Sequence, residues 1–95
     1  FLIKEIFVKS NGILSLQKHF HRSEHWLVTQ GRPRVTLNKK FFFIKPIQTI
    51  FVPKGAIHRI QNPNKKPVKI MEAQLGSILK ETDIVRYEDV YGRAN

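Results

Sequence analysis

Between positions 17 and 24 the chain reads Gln-Lys-His-Phe-His-Arg-Ser-Glu. Side chains alternate faces along a β-strand, so Gln17, His19 and His21 are expected to project the same way, into a barrel interior. Buried polar groups need partners, and one metal ion provides a partner for several of them at once. Glu24 opens the next strand and can fold back beside these residues. His58 stands on a distant strand after Pro53-Lys54-Gly55, where a tight turn can aim its imidazole inward. A lone histidine is ordinarily a hydrogen-bonded or surface residue; here it is the set that points to a metal. Imidazole and oxygen donors together suit zinc, manganese, iron or cobalt rather than calcium.

The elements that would position this set are short and closely punctuated. Ile3–Lys9 reads as a strand ended by Ser10-Asn11-Gly12, followed by Ile13–Phe20 and Glu24–Gln30 before Gly31. Arg34–Leu37 and Phe41–Ile44 flank the loop Asn38-Lys39-Lys40. Thr49–Val52, Ile57–Gln61 and Val68–Gln74 complete the series. Seven or eight strands at this spacing predict an all-β sandwich or barrel. Residues 81–91 carry no clean period and are expected to form a helical turn plus a loop. The consecutive Phe41, Phe42 and Phe43 read as sheet core, with Phe42 facing opposite to its neighbours; an outward aromatic there predicts a homodimer with paired strand edges.

Composition narrows the classes. The 95 residues are one domain's worth, 1–95, and 41% hydrophobic content excludes a disordered segment. With no cysteine, disulfides and thiolate sites are excluded and a reducing cytoplasm is permitted, and the cytoplasm is the expected compartment. No apolar run approaches the ~20 residues of a membrane-spanning helix. The net charge of +10 is spread out, since residues 1–47 carry nine Lys/Arg against two acids and residues 48–95 eight against five. Spread positive charge favours anions of any kind, but pairs such as Lys39-Lys40 and Lys65-Lys66 fall in turns and read as solvated. A nucleic-acid or polyanion binder therefore ranks last.

Gln17-x-His19 followed by Glu24 and Gly31 resembles the first cupin motif, with Gln in place of its first His. Pro53-x-Gly55-x-x-His58-x-x-x-Asn62 resembles the second. More narrowly, Gln17–Trp26, Pro53–Pro63 and Asp83–Arg93 are similar to the C-terminal domain of type II phosphomannose isomerases. That family joins a mannose-1-phosphate guanylyltransferase to a metal-dependent mannose-6-phosphate isomerase cupin. The resemblance runs from about Ile3 to Arg93. It implies a small cupin barrel, a double-stranded β-helix of jelly-roll type, with a short C-terminal helical or irregular segment.

The resemblance also implies that Gln17, His19, Glu24 and His58 ligate a divalent metal, and that Arg86 and Tyr91-Gly92-Arg93 belong to the active-site region. Lys18 and Phe20 depart from the family's usual residues, but both should point away. The family's stretch upstream of Ile3 and any Gly-rich nucleotidyltransferase loop are absent from this sequence, so no guanylyl transfer is expected from it. The implied activity interconverts mannose 6-phosphate and fructose 6-phosphate for GDP-mannose and polysaccharide precursors, through an enediol. His21 is the candidate proton shuttle. Arg22, Arg86 and Arg93, with Tyr91, are the candidates for holding the phosphosugar. The competing reading is a non-catalytic metal- or sugar-binding module, which would bind substrate without turnover.

Overall fold

The computed structural model describes residues 1–88, with only the backbone described at Glu88. Nine strands make up the regular structure of the described residues: β1 (Leu2–Val8), β2 (Leu16–Lys18), β3 (Arg22–Gln30), β4 (Arg34–Leu37), β5 (Lys40–Phe43), β6 (Thr49–Val52), β7 (His58–Gln61), β8 (Val68–Gly76) and β9 (Val85–Glu88). They form two antiparallel sheets, one in the order β1-β8-β3-β6 and the other β5-β4-β7-β2-β9. Strict alternation places one face of each sheet inside. Along β3 the inward residues are Arg22, Glu24, Trp26 and Val28, and along β8 they are Val68, Ile70, Glu72 and Gln74. Val8, Trp26, Val28, Val35, Val52, Ile60, Val68 and Ile70 form the body of the apolar core between the sheets. No helix among the described residues is long and apolar enough to cross a membrane.

Three expectations change. Residues 81–88, the described part of the 81–91 segment, are not a helical turn plus a loop: the chain turns at Glu81-Thr82 and then pairs β9 with β2, Gln17 opposite Arg86, while 89–91 lie outside the described residues. The expected strand from Ile13 to Phe20 is reduced to an isolated bridge at Ile13 and the three residues of β2. Phe41, Phe42 and Phe43 are not sheet core, being 61%, 37% and 52% exposed. The reason is position, since among the described residues β5 is an edge strand with only β4 beside it. Arg34 covers the Phe41 ring from β4, its guanidinium carbon 4.1 Å from the centroid.

Two close approaches bring the site elements together. Gly55 has φ +77°, a left-handed conformation that glycine adopts without a Cβ penalty. Its N–H donates to the His19 carbonyl at 2.8 Å. Gly76 lies opposite Arg22, and a Cβ on it would fall 2.1 Å from the His21 carbonyl oxygen. Only glycine lets β8 pass this close to the turn that carries the histidines.

Candidate metal centre

β2, β3 and β7 each deliver part of a polar cluster at one end of the barrel. Gln17 on β2 lies opposite His58 on β7. The chain then leaves the strand at His19, turns through Phe20-His21, and enters β3 with Arg22 and Glu24 pointing inward. His19, Glu24 and His58 are all buried, and one ligand atom from each lies within 4.8 Å of the other two. His19 Nε2 is 3.3 Å from Glu24 Oε2, and His58 Nε2 is 4.0 Å from Glu24 Oε1.

Each member is oriented by a second contact. His58 Nδ1 donates to the Ala56 carbonyl at 3.0 Å, which leaves Nε2 facing the cluster. His19 Nδ1 donates to the Asp83 carbonyl. Glu24 Oε1 accepts from the Trp26 indole at 2.9 Å, and Oε2 from Arg22 Nε at 3.0 Å. Burial pushes the His58 imidazole down to about 4, and the nearby His19 and Arg22 act the same way, against the Ala56 bond. Burial lowers His19 as well, against its bond to the Asp83 carbonyl. Both rings are therefore neutral near pH 7, the form in which imidazole binds a metal. Two neutral imidazoles, each with its far nitrogen tied to a carbonyl, and a carboxylate at coordination spacing fit a divalent ion of the zinc, manganese, iron or cobalt kind.

The cluster lines a cavity of about 190 Å³ shared with Gln17, Arg22, Lys4, Glu72 and Arg86. The sequence reading did not single out Glu72, which lines the cavity, or Gln74, which holds it. Glu72 and Gln74 lie on the inward face of β8, and Gln74 Nε2 donates to Glu72 Oε1 at 2.5 Å. Burial, and then the neighbouring Glu24 carboxylate, pushes Glu72 up to about 7. Their signal was present: Val68-x-Ile70-x-Glu72-x-Gln74 continues an apolar period of two with polar residues.

The remaining candidates are placed less uniformly. His21 does not face inward with Gln17 and His19. The strand ends at Lys18, alternation ends with it, and the His21 side chain is 50% exposed with Nδ1 3.1 Å from Asp83 Oδ1. Arg22, expected as a phosphate-binding cation, is buried and committed to Glu24 Oε2, to His19 Nε2 at 3.1 Å from Nη2, and to the Lys80 carbonyl. Arg86 lies at the cavity wall on β9, and its buried Nε has no hydrogen-bond partner among the described residues. Tyr91 and Arg93 lie outside the described residues. Lys18 and Phe20 lie away from the cavity, the Lys18 ammonium 5.0 Å from the Phe20 ring centroid.

Residues 1–89 match the family described as mannose-6-phosphate isomerase C-terminal. The chain is 46% identical over 95 residues to the alginate biosynthesis protein AlgA of Pseudomonas syringae pv. tomato, covering 100% of this chain and 20% of that protein. It is 44% identical over 93 residues to a mannose-1-phosphate guanylyltransferase of Klebsiella pneumoniae, covering 98% of this chain and 20% of that protein. The chain thus spans about a fifth of the length of these relatives. Among solved structures, the cupin domain of Cnp3 from Schizosaccharomyces pombe superposes with a TM-score of 0.73 at 21% identity, over 79% of this chain and 55% of that one. The likeness is one of fold, and the fold is the cupin barrel.

Proposed function

The chain belongs to the mannose-6-phosphate isomerase C-terminal family, and on that premise we propose that it is a metal-dependent domain interconverting mannose 6-phosphate and fructose 6-phosphate. The reaction would serve the synthesis of GDP-mannose and polysaccharide precursors, in the cytoplasm. The observation that carries this reading is the convergence of His19, Glu24 and His58 in a cavity also lined by Arg86 and Lys4. His19, Glu24 and His58, with Gln17 beside them, would hold the ion. A divalent metal there supplies Lewis-acid polarisation of a sugar carbonyl and its neighbouring hydroxyl.

The chain's own groups supply the rest. Arg86 lines the cavity, where its guanidinium can donate to substrate oxygens, phosphate among them. Isomerisation moves a proton between C1 and C2, so a group at the cavity wall must take it and return it. Glu72 is placed for that task, with its carboxyl in the wall beside Gln74. His21 does not line the cavity and is paired with Asp83. Trp26 and Ile60 give the cavity an apolar part of its lining.

A coupled assay for fructose 6-phosphate formation, run with a panel of divalent metals, tests the proposal. Metal-dependent turnover supports it. Stoichiometric metal and phosphosugar binding without turnover would instead favour the non-catalytic module. Pairing of two copies through the β5 edge belongs to the same proposal, supported by the exposed Phe41, Phe42 and Phe43 and by the backbone groups an edge strand leaves unpaired. Sedimentation at high micromolar concentration checks it: a dimer is expected, and a clean monomer contradicts it.

A further inference from the structure

Asp83 lies between β8 and β9, far along the chain from the histidines, yet it makes four contacts to the turn that bears them. Its side chain is only 3% exposed. Its carboxylate accepts the Phe20 N–H through Oδ1 and the His21 N–H through Oδ2, both at 2.9 Å. Oδ1 also lies 3.1 Å from His21 Nδ1. The Asp83 main-chain carbonyl faces His19 Nδ1. The segment around it is fixed independently. Lys4 Nζ meets Glu81 Oε1 at 2.8 Å, Arg22 Nη1 donates to the Lys80 carbonyl, and Asp83 N–H donates to the same carbonyl at 3.0 Å.

These contacts decide the chemistry of His19. A carbonyl oxygen only accepts, so Nδ1 must carry the ring proton. On the other side of the ring, Nε2 lies 3.1 Å from Arg22 Nη2, and a guanidinium only donates. Nε2 is therefore unprotonated and accepts from Arg22 Nη2, with Glu24 Oε2 3.3 Å away. His19 has no strand to hold it, because β2 ends one residue earlier. Its backbone is held instead by the Asp83 carboxylate on the next two N–H groups and by Gly55 on its own carbonyl.

We propose that Asp83 is a positioning residue for the metal centre: its carboxylate pins the Phe20-His21 turn while its carbonyl holds His19 in the Nδ1–H tautomer with Nε2 toward Glu24. Its functional consequence rests on the metal reading above; the tautomer itself does not. The neighbouring groups of a metal-binding histidine commonly change metal affinity by about 10- to 100-fold when lost.

The test has two arms on the 95-residue chain. Nitrogen-15 NMR of the metal-free protein at pH 8 should show His19 as a single Nδ1–H tautomer, and Asp83→Ala should turn it into a mixture. Cobalt titration should then give about 10- to 100-fold weaker binding for Asp83→Ala. Asp83→Asn should fall between, because it keeps one acceptor oxygen and sets an amide donor against a backbone N–H. A wild-type His19 protonated at Nε2 overturns the proposal, and this measurement decides it even if the variants do not fold. So does an Asp83→Ala protein with unchanged tautomer and unchanged cobalt affinity. A wild type that has the expected tautomer but binds no cobalt removes the metal reading and leaves the positioning of His19 standing.

Discussion

The inner face of the first sheet is two different surfaces laid end to end on the same strands. On β8, Val68 and Ile70 are fully buried in the apolar core, and two and four residues further on Glu72 and Gln74 are equally buried on the same face. On β3 the order runs from Val28 and Trp26 to Glu24 and Arg22. The apolar end contributes to stability in the ordinary way, about 1.5–3 kcal/mol for each large side chain removed from water. The polar end costs desolvation and is offset only by its internal bonds, among them Arg22 to Glu24, Trp26 to Glu24 and Gln74 to Glu72. Gln74 Oε1 has no hydrogen-bond partner among the described residues. A barrel needing only stability would be apolar at both ends, so the polar end is explained by its chemistry.

Removing a side chain should destabilise either end, and the ends should part at Glu72. The largest loss is expected for Ile70→Ala, about 4 kcal/mol in urea unfolding, since the site is fully buried and packed from both sheets. Arg22→Ala should cost about 3 kcal/mol, because it leaves Glu24 buried without its guanidinium.

Glu72→Gln should go the other way. A carboxyl raised in the folded state from its ordinary value to about 7 adds stability below about pH 4.5 and loses it as pH rises through 7. Replacing it with a neutral amide should therefore stabilise the metal-free chain by about 2–3 kcal/mol more at pH 8 than at pH 4.5. His58 has the opposite sign. Lowered to about 4, it withdraws stability as pH falls from 6.5 toward 4, and that slope should emerge undisguised in Glu72→Gln. If Glu72→Gln destabilises the chain as Ile70→Ala does, the two ends are not different in kind. The smallest stability effect, under about 0.5 kcal/mol, is expected for Arg86→Ala at the cavity wall. Phosphosugar binding should nevertheless weaken, as calorimetry on the metal-loaded protein would detect.

How much of this was legible in the sequence differs between the two ends. The apolar end follows from period-two alternation, which gives β3 and β8 nearly whole. The spacing from Gln17 to Glu24 and from Pro53 to His58 marks two sections of the polar end, and the structure brings His19, Glu24 and His58 together. Alternation misleads at His21 because it assumes a strand continues, whereas Asp83 captures the N–H groups of Phe20 and His21 and turns the chain. That capture is a contact between distant positions, with no local signature. The exposure of Phe41, Phe42 and Phe43 depends on which strand ends the sheet, which composition does not encode.

A metal site built from His19, Glu24 and His58 at the polar end should take up a divalent ion. Cobalt titration followed by visible absorption tests it most directly, comparing the wild type with His58→Ala and with Ile70→Val as a control at the apolar end. One cobalt per chain with a ligand-field spectrum is expected in the wild type and in Ile70→Val, and none in His58→Ala. Cobalt binding that survives His58→Ala unchanged, or a folded wild type that binds no cobalt, would contradict it.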